Sequence, residues 1–382
     1  MDFELTEEQR MVRDMVREFA DREMAPVIPA LEREGTYPAA IVARLGQLGI
    51  LGMAIPEEFG GNAFDAVTTA LVMEEIARVC ASTAVTLSVH NTASAGPIAR
   101  FGSREQKSRY LPRMAHGEII GGFALTEPGC GSDAAALATR AVRRGDRWIL
   151  NGTKSWITNV RIGGVFVLMA VTDPDAGSRG ISAFLVEPDM RGFSFGKDEP
   201  KMGLRASKTG MINMVDCEVP AENLLGEEGM GLRVAFSTLD AGRIGIAAQS
   251  VGIARGAFEE ARAYAKTRKA FGEALASFQA IRFMLADMAT EIDAARLLTL
   301  RAASLRDSAP PGGDFSREAS MAKLYASEMC NRVAYKAVQI HGGYGYSAEY
   351  NVERYYRDAR VTTIYEGTSE IQRIIIARKL VA

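Results

Sequence analysis

The chain contains little of what metal sites and disulfide-stabilised folds require. Its 382 residues include four cysteines, none of them in a CxxC pair, and three histidines, none of them in an HExxH motif. These spacings match no zinc site, and cysteines this far apart argue against a disulfide framework. We therefore expect no metal ion and a reducing compartment.

An excess of charge and a long apolar run are also lacking. The formal net charge is −2 and the isoelectric point is about 6.1. The chain therefore lacks the excess of basic residues that is typical of nucleic-acid-binding proteins. Apolar runs such as residues 165–171 are too short for a membrane span. Residues 1–8 are acidic, unlike a secretory signal or an arginine-rich transit peptide. These absences predict a soluble protein without nucleic-acid or membrane partners, located in a bacterial cytoplasm, or in the mitochondrial matrix if it is a processed eukaryotic form.

Hydrophobic periodicity divides the chain into three domains. Residues 1–120 have a helical period, residues 121–225 consist of short β-branched and aromatic runs, and the helical period returns over residues 226–382. The pattern predicts an α+β multidomain protein. We expect an N-terminal helical domain, a central β domain of antiparallel, barrel-like sheets, and a C-terminal four-helix bundle.

Local signals predict several element boundaries. Ser103 is expected to cap a helix, and Asn151-Gly152 is a hairpin signal. Residues 308–313 are expected to form a turn between two long helices. Helices are expected at residues 7–22 and 66–79, and strands at residues 147–150, 164–171, 181–186, 192–196 and 211–219.

A glycine-rich segment at residues 129–134 matches G-x-G-x-x-A, the phosphate-binding fingerprint of Rossmann domains. Its context does not fit such a domain. Thr126-Glu127-Pro128 precedes the segment where a hydrophobic strand is required, and no βαβ unit follows it. We therefore reject a nicotinamide site.

Six motifs that span nearly the whole chain resemble, in order, those of the acyl-CoA dehydrogenase family, and particularly its short-chain and butyryl-type members. They are FALTEPGCGSD (residues 123–133), KSWITN (154–159), LDAGR (239–243), RKAFG (268–272), QIHGG (339–343) and YEGTS (365–369). The resemblance implies an FAD enzyme that converts an acyl-CoA thioester to the trans-2-enoyl-CoA. A base removes the α-proton and the β-hydrogen leaves as hydride to flavin N5. It also implies an electron-transferring flavoprotein as acceptor and a homotetramer built as a dimer of dimers.

Glu366 matches the catalytic base of the family. A carboxylate can serve because burial raises its pKa towards neutrality, and Gly367 has no side chain to obstruct the thioester. Some relatives, including isovaleryl-type members, carry the base at the position of Gly242, so Glu366 has no rival here. An isolated Glu-Gly pair would usually be a solvated turn, and the companion motifs favour the base.

The resemblance assigns a larger set of positions to FAD, some of them serving a neighbouring subunit. Trp156 and Thr158 match residues beside the flavin ring, and Thr126 matches one on its pyrimidine side. Ser369 to Gln372 is a capping-box pattern at a helix start that would face the pyrophosphate. The full set is Phe123, Leu125, Thr126, Ser132, Trp156, Ile157, Thr158, Arg268, Phe271, Gln279, Gln339, Ile340, His341, Gly342, Gly343, Thr368, Ser369 and Glu370.

The same resemblance implies the substrate contacts. Asp240 and Arg243, one helical turn apart, are expected to present a hydrogen-bonding pair to CoA, although such a pair alone is usually a surface ion pair. Gln249 is expected to shorten the acyl pocket, which favours a short or short-branched chain. The expected substrate-binding set is Ser132, Asp240, Arg243, Gln249, Tyr365 and Gly367.

Two other function classes remain open at this point. One is a flavin oxidase or monooxygenase of the same fold that acts on another small substrate. The other is a non-catalytic helical scaffold. Glu366 disfavours the monooxygenase relatives that lack this carboxylate, and the combination of Thr126, Trp156 and Glu366 argues against the scaffold.

Overall fold

The computed structural model describes residues 4–310 and 313–381. Residues 1–3 of the acidic N-terminus and residues 311–312 of the expected turn lie outside the described residues. The α-helices of the described part are α1 (Glu7–Phe19), α2 (Ile28–Glu34), α3 (Ala39–Gln47), α4 (Ala66–Val79), α5 (Ala81–Ser88), α6 (Gly96–Phe101), α7 (Arg104–Ala115), α8 (Gly231–Thr267), α9 (Gln279–Ser308), α10 (Ser316–His341), α11 (Asn351–Val361) and α12 (Ser369–Val381).

The β-strands follow α7 and are interrupted by α8. They are β1 (Ile120–Ala124), β2 (Arg140–Arg144), β3 (Arg147–Thr158), β4 (Gly163–Val171), β5 (Ile181–Val186), β6 (Phe193–Asp198), β7 (Thr209–Pro220), β8 (Leu224–Leu225), β9 (Lys269–Ala270) and β10 (Glu273–Ala274). The order of helices, then strands, then helices confirms the expected fold class.

Local chemistry explains where the N-terminal helices begin. The Thr6 hydroxyl accepts from the backbone N–H of Gln9, whose side chain accepts from the backbone N–H of Thr6. Ser103 and Gln106 form the same reciprocal capping box at α7, which confirms the expected cap. The expected helix at residues 7–22 continues beyond α1 as a π-helical turn, Ala20–Met24.

The central sheet differs from the antiparallel, barrel-like expectation. Its strands lie in the open order β6-β7-β3-β2-β4-β5-β8, and β1 pairs with β4 in parallel. The polypeptide enters β1 from α7, and the β2–β3 pair separates β1 from β4 in sequence. No hairpin therefore forces β1 and β4 to be antiparallel. The sheet is mixed and open.

The predicted hairpin at Asn151-Gly152 is wrong. The turn lies at Gly145-Asp146, between the paired residues Arg144 and Arg147. Asn151 and Gly152 lie inside β3, where the pairing with β7 shifts register. A Cβ on Gly152 would overlap the side chain of Thr139, so this glycine permits a close approach and does not form a turn.

The two helical regions share one hydrophobic core. Helix α4 packs against α8, while α8, α9 and α10 pack on one another and α11 and α12 pack against α10. Helices α8 and α9 each turn an apolar stripe towards this core, and Val251, Ala254, Met288 and Ile292 of these stripes are all buried. In the described part of the chain, no helix has the combined length and apolarity needed to cross a bilayer.

Glycine allows α4 and α8 to approach closely. A Cβ on Gly252 would overlap the backbone carbonyl of Glu74, and one on Gly256 would overlap the carbonyl of Arg78. Glu74 itself is buried and accepts from Arg255 of α8 and from Arg296 of α9. The contact therefore combines backbone proximity with a buried charge cluster.

Gly252→Ala should destabilise the fold by about 1–3 kcal/mol, because the added methyl group must push α4 away from α8. Gly245→Ala on the same helix is the matched control. Its Cβ would meet only the Ser88 hydroxyl, at 3.3 Å, so we expect no loss, or a gain of up to about 1 kcal/mol from helix propensity. Urea unfolding followed by circular dichroism measures both, and equal losses would contradict the packing argument.

Candidate active site

A strained turn between α11 and α12 carries Glu366. Glu366 and Gly367 both have left-handed backbone conformations, with φ of 54° and 92°, and for a non-glycine residue this costs about 1–2 kcal/mol. The Gly367 carbonyl accepts two hydrogen bonds of 2.8 Å, one from Nζ of Lys323 and one from Nε2 of Gln372. The turn is therefore fixed through its main chain.

Gly367 has a structural role in the turn that the sequence reasoning did not assign to it. We expected this glycine to leave room for a thioester. A Cβ at Gly367 would instead lie 2.8 Å from Nε2 of Gln372, in a backbone conformation that other residues rarely adopt. The glycine is required by the turn itself.

The Glu366 carboxylate faces α8 at Gly242. A Cβ on Gly242 would lie 2.8 Å from Oε2 of Glu366. Residues 242 and 366 therefore face each other, and the glycine on α8 leaves the space that the carboxylate of Glu366 occupies.

Burial and two cations act in opposite directions on the pKa of Glu366. Burial among protein atoms raises the pKa, although part of the side chain stays open to solvent, and the charges of Arg243 and Lys323 lower it less than burial raises it. Burial in turn lowers the pKa of Lys323 to about 8, against the opposing effect of Glu366. A partly desolvated carboxylate whose pKa is raised by burial is a better proton acceptor than an exposed one.

The helix after the base begins one residue earlier than the predicted capping box. The Thr368 hydroxyl accepts from the backbone N–H of Ile371, so Thr368 is the cap of α12. Ser369 is inside the helix and donates to Oε1 of Glu328 at 2.7 Å. Gln372, expected to close the box, donates to the carbonyls of Glu366 and Gly367.

The pair expected to contact CoA, Asp240 and Arg243, is an ion pair, but it is not a surface pair. Arg243 is buried, and its Nε has no hydrogen-bond partner. Burial also raises the pKa of Asp240, which Arg243 lowers. Arg243 thus lies beside Glu366 with a free donor, while Ser132 lies on an exposed loop after β1.

Gln249 and Tyr365 are joined directly. The Tyr365 hydroxyl donates to Oε1 of Gln249 at 2.7 Å, and Nε2 of Gln249 donates to the Ala81 carbonyl at 2.9 Å. Gln249 is fully buried. The residue preceding the carboxylate is therefore tied to α8 and, through it, to α5.

A second group of predicted residues meets on the central sheet. The indole of Trp156 is 60% exposed and its φ is 59°, at a register shift in the pairing of β3 with β7. The neighbouring Ser155 N–H donates to the Thr126 carbonyl at 2.9 Å, and Thr158 is half-buried at the end of β3. The bulge turns a large aromatic ring out of the sheet beside Thr126.

A buried ion pair that the sequence reasoning did not single out supports this face. Nζ of Lys154 donates to Oε1 of Glu127 at 2.7 Å and to the Leu125 carbonyl at 3.1 Å. Glu127 also accepts from the backbone N–H groups of Ala138 and Thr139. The pair holds the segment containing Thr126 against β3.

A third group lies at the end of α8. The Arg268 guanidinium lies 5.2 Å from the ring centre of Tyr344, within the 3-10 segment Gly342–Tyr346. Phe271 is 97% exposed and close to Phe278, next to the predicted Gln279. Tyr346, at the end of the same 3-10 segment, is 92% exposed.

The remaining predicted positions differ in exposure. Buried or half-buried side chains are those of Phe123, Leu125, Ile157, Ile340 and His341, whereas Gln339, Gly342, Gly343 and Glu370 are exposed. His341 stacks on Tyr264 with ring centres 4.2 Å apart. The buried apolar members can offer a ligand only their backbone groups.

Lys323 lies at the Glu366 turn and was missed by the sequence reasoning, whereas Gln372 was expected in a different role, in a capping box. Lys323 is fully buried and interrupts a stripe of buried alanines on α10, Ala319, Ala322 and Ala326. A lysine inside an apolar helical stripe is a signal that a sequence can carry. In the described residues, no group of three or more His, Cys, Asp or Glu side chains is arranged to hold a metal ion.

Comparison with known proteins matches this architecture over nearly its full length. Three profiles match in order, "Acyl-CoA dehydrogenase, N-terminal domain" at residues 6–118, "middle domain" at 122–217 and "C-terminal domain" at 229–381. The chain belongs to the acyl-CoA dehydrogenase family. It is an oxidoreductase, and the scaffold alternative is wrong.

Particular relatives narrow the similarity to short-chain members. The mouse mitochondrial short-chain specific acyl-CoA dehydrogenase is 50% identical over 377 residues, 99% of this chain and 91% of the relative. Butyryl-CoA dehydrogenase from Megasphaera elsdenii superposes with a TM-score of 0.97 at 41% identity, over 100% of both chains. A chain of a solved structure described as the electron transferring flavoprotein of Acidaminococcus fermentans has a TM-score of 0.97 at 46% identity, over 100% of this chain and 99% of that one.

The family uses FAD, and the Trp156 face fits that cofactor. An exposed indole lies beside the half-buried hydroxyl residues Thr126 and Thr158, which suits a planar ring with polar edges. Cβ atoms on Gly129 and Gly131 would meet nothing within 4 Å, so the adjoining loop leaves open space. The residues present therefore agree with a flavoprotein.

Proposed function

We propose that Glu366 is the base by which this enzyme removes the α-proton of a short acyl-CoA, giving the trans-2-enoyl-CoA. The observation that carries the proposal is the setting of the carboxylate. It faces the open position of Gly242, burial raises its pKa, and Arg243 and Lys323 lie nearby. Such a group can be ionised in the free enzyme and basic enough to take a proton.

Different residues of the chain would bind the cofactor and remove the proton. FAD, when bound, supplies the acceptor for the β-hydrogen. Thr126, Trp156 and Thr158 would hold the flavin ring, and the Thr368 helix start would lie towards its phosphates. Glu366 takes the α-proton onto its carboxylate, while the hydrogen bonds to the Gly367 carbonyl fix the turn from which that side chain projects.

Glu366→Gln should retain yellow FAD and lose at least about 100-fold in the rate of anaerobic flavin reduction by butyryl-CoA, since the amide cannot accept the proton. Stopped-flow absorbance of the flavin measures this rate. Glu349→Gln, at an exposed loop glutamate, is the matched control and should reduce normally. A normal rate in Glu366→Gln would overturn the assignment.

Chain-length preference is proposed to depend on Gln249. Its side chain is buried, polar and held by Tyr365 and Ala81, so it cannot move aside without leaving hydrogen-bonding groups unpaired. A fixed polar group at the end of an acyl pocket excludes further methylenes. This supports a short or short-branched acyl group, in keeping with the short-chain relatives.

Gln249→Ala should raise the rate of flavin reduction by hexanoyl-CoA relative to butyryl-CoA by roughly tenfold, because one or two methylenes are worth about 1–3 kcal/mol each in such a pocket. The neighbouring Ser250→Ala removes a buried hydroxyl that donates to the Ile246 carbonyl and should leave the ratio unchanged. Identical ratios in both variants would exclude Gln249 as the limit of the pocket.

We further propose a homotetramer, built as a dimer of dimers, that passes electrons to an electron-transferring flavoprotein. A group of exposed side chains at the end of α8 supports the assembly. It contains Arg268, Phe271 and Tyr346, and the two aromatic residues are 97% and 92% exposed. The similarity to the Acidaminococcus chain supports the redox partner. Location in a bacterial cytoplasm, or in the mitochondrial matrix for a processed form, stays a prediction.

Arg268→Ala should lower the FAD content of the purified protein several-fold, because the guanidinium would hold the cofactor of a neighbouring subunit. Arg262→Ala, at an exposed arginine that also lies over an aromatic ring, Phe258, is the control and should retain FAD. Absorbance ratios give the cofactor content and sedimentation velocity gives the assembly. A monomer that keeps full FAD would contradict the proposal.

A further inference from the structure

Lys323 is a buried charge for which the functions assigned so far give no reason. It has no exposed surface, yet it lies on the α10 face that otherwise carries small apolar side chains. Burying an ammonium group costs several kcal/mol unless the surroundings compensate for the loss of hydration. A leucine or methionine would fill this position without that cost.

Lys323 is hydrogen-bonded to the main chain. Its Nζ donates to the Gly367 carbonyl at 2.8 Å, the same oxygen that accepts from Gln372. This oxygen belongs to Gly367, the residue after Glu366. Both residues have left-handed backbone conformations. Two donors on one carbonyl restrain the Gly367–Thr368 peptide, and Gln372 also donates to the Glu366 carbonyl at 3.3 Å.

Charges from four elements surround this position. Arg243 of α8 and Lys323 of α10 act on Glu366. The groups that act on Lys323 are Glu366, Arg243, Glu328 and Glu370. Glu328 is engaged by the Ser369 hydroxyl, and Glu370 lies exposed on α12. Lys323 is fully buried, and its charge acts on Glu366. Among the described residues, no ion pair joins the two side chains.

We propose that Lys323 is the positioning residue of the catalytic base, fixing the Glu366–Gly367 turn through the Gly367 carbonyl and keeping the Glu366 carboxylate ionised through its charge. The inference rests on the proposed role of Glu366. It separates two contributions. The hydrogen bond controls where the carboxylate lies, and the charge controls the pH at which it loses its proton.

The test compares variants of the FAD-loaded enzyme by the pH dependence of flavin reduction with butyryl-CoA under anaerobic conditions. Lys323→Met removes both the donor and the charge. We expect its plateau rate to fall about tenfold and its acidic limb to move to higher pH by roughly one pH unit, because an opposite charge at this range lowers the pKa of a carboxyl group. Gln372→Met removes a donor to the same carbonyl and keeps the charge, so only its plateau rate should fall.

The pH dependence of stability gives a readout that does not depend on turnover. The pKa of Glu366 is raised in the folded state, so the wild type loses stability relative to Glu366→Gln as the pH rises from the ordinary carboxyl range through the folded pKa. In the Lys323→Met background this loss should extend to higher pH. Urea unfolding of the four proteins of this cycle measures it.

Controls distinguish the possible failures. Lys336→Met removes another charge from α10, one paired with Asp287 and Glu291, and should alter neither the plateau nor the limb. If Lys323→Met does not fold, Lys323→Gln provides the same test of the limb. Normal flavin reduction in Glu366→Gln would overturn the base assignment. A dead Glu366→Gln with an unshifted limb in the Lys323 variants would overturn the role of Lys323 alone.

Discussion

The close approach of α4 to α8 is the contact on which the rest of the molecule depends. Gly252 and Gly256 bring the two backbones together, and Glu74 links α4 to the arginines of α8 and α9. Helix α8 also carries Gly242, Arg243 and Gln249, which surround the carboxylate and its neighbouring tyrosine. Because one helix supplies both the core contact and the site, the position of the site is set by the packing of the two helical regions.

Two fully buried lysines each hold a segment of the main chain near the candidate site. Lys154 and Glu127 hold the segment before the glycine-rich loop, and Lys323 holds the turn at Glu366. In both places an ammonium group donates to a main-chain carbonyl. Hydrophobic packing is non-directional, whereas a hydrogen bond from a buried donor specifies the orientation of one peptide group. The cost of burying the lysine is offset by that precision.

The fold class was accessible from the sequence because its signals are local or periodic. Helix α4 has the expected bounds, and the Ser103 cap follows from its side chain. The hairpin was misplaced because Asn-Gly also suits a bulge, and only the proximity of Thr139 to Gly152 distinguishes the two. The parallel pairing of β1 with β4 depends on distant strands. Lys323 was missed because its partner lies 44 residues away, on a carbonyl that carries no side-chain identity.

The space between Gly242 and Glu366 limits which side chains positions 242 and 366 can carry together. A Cβ at position 242 would lie only 2.8 Å from Oε2 of Glu366, so a larger side chain there requires the present carboxylate to move. A lineage that acquires a large side chain at position 242 must therefore shorten or move the side chain at position 366 at the same time or earlier.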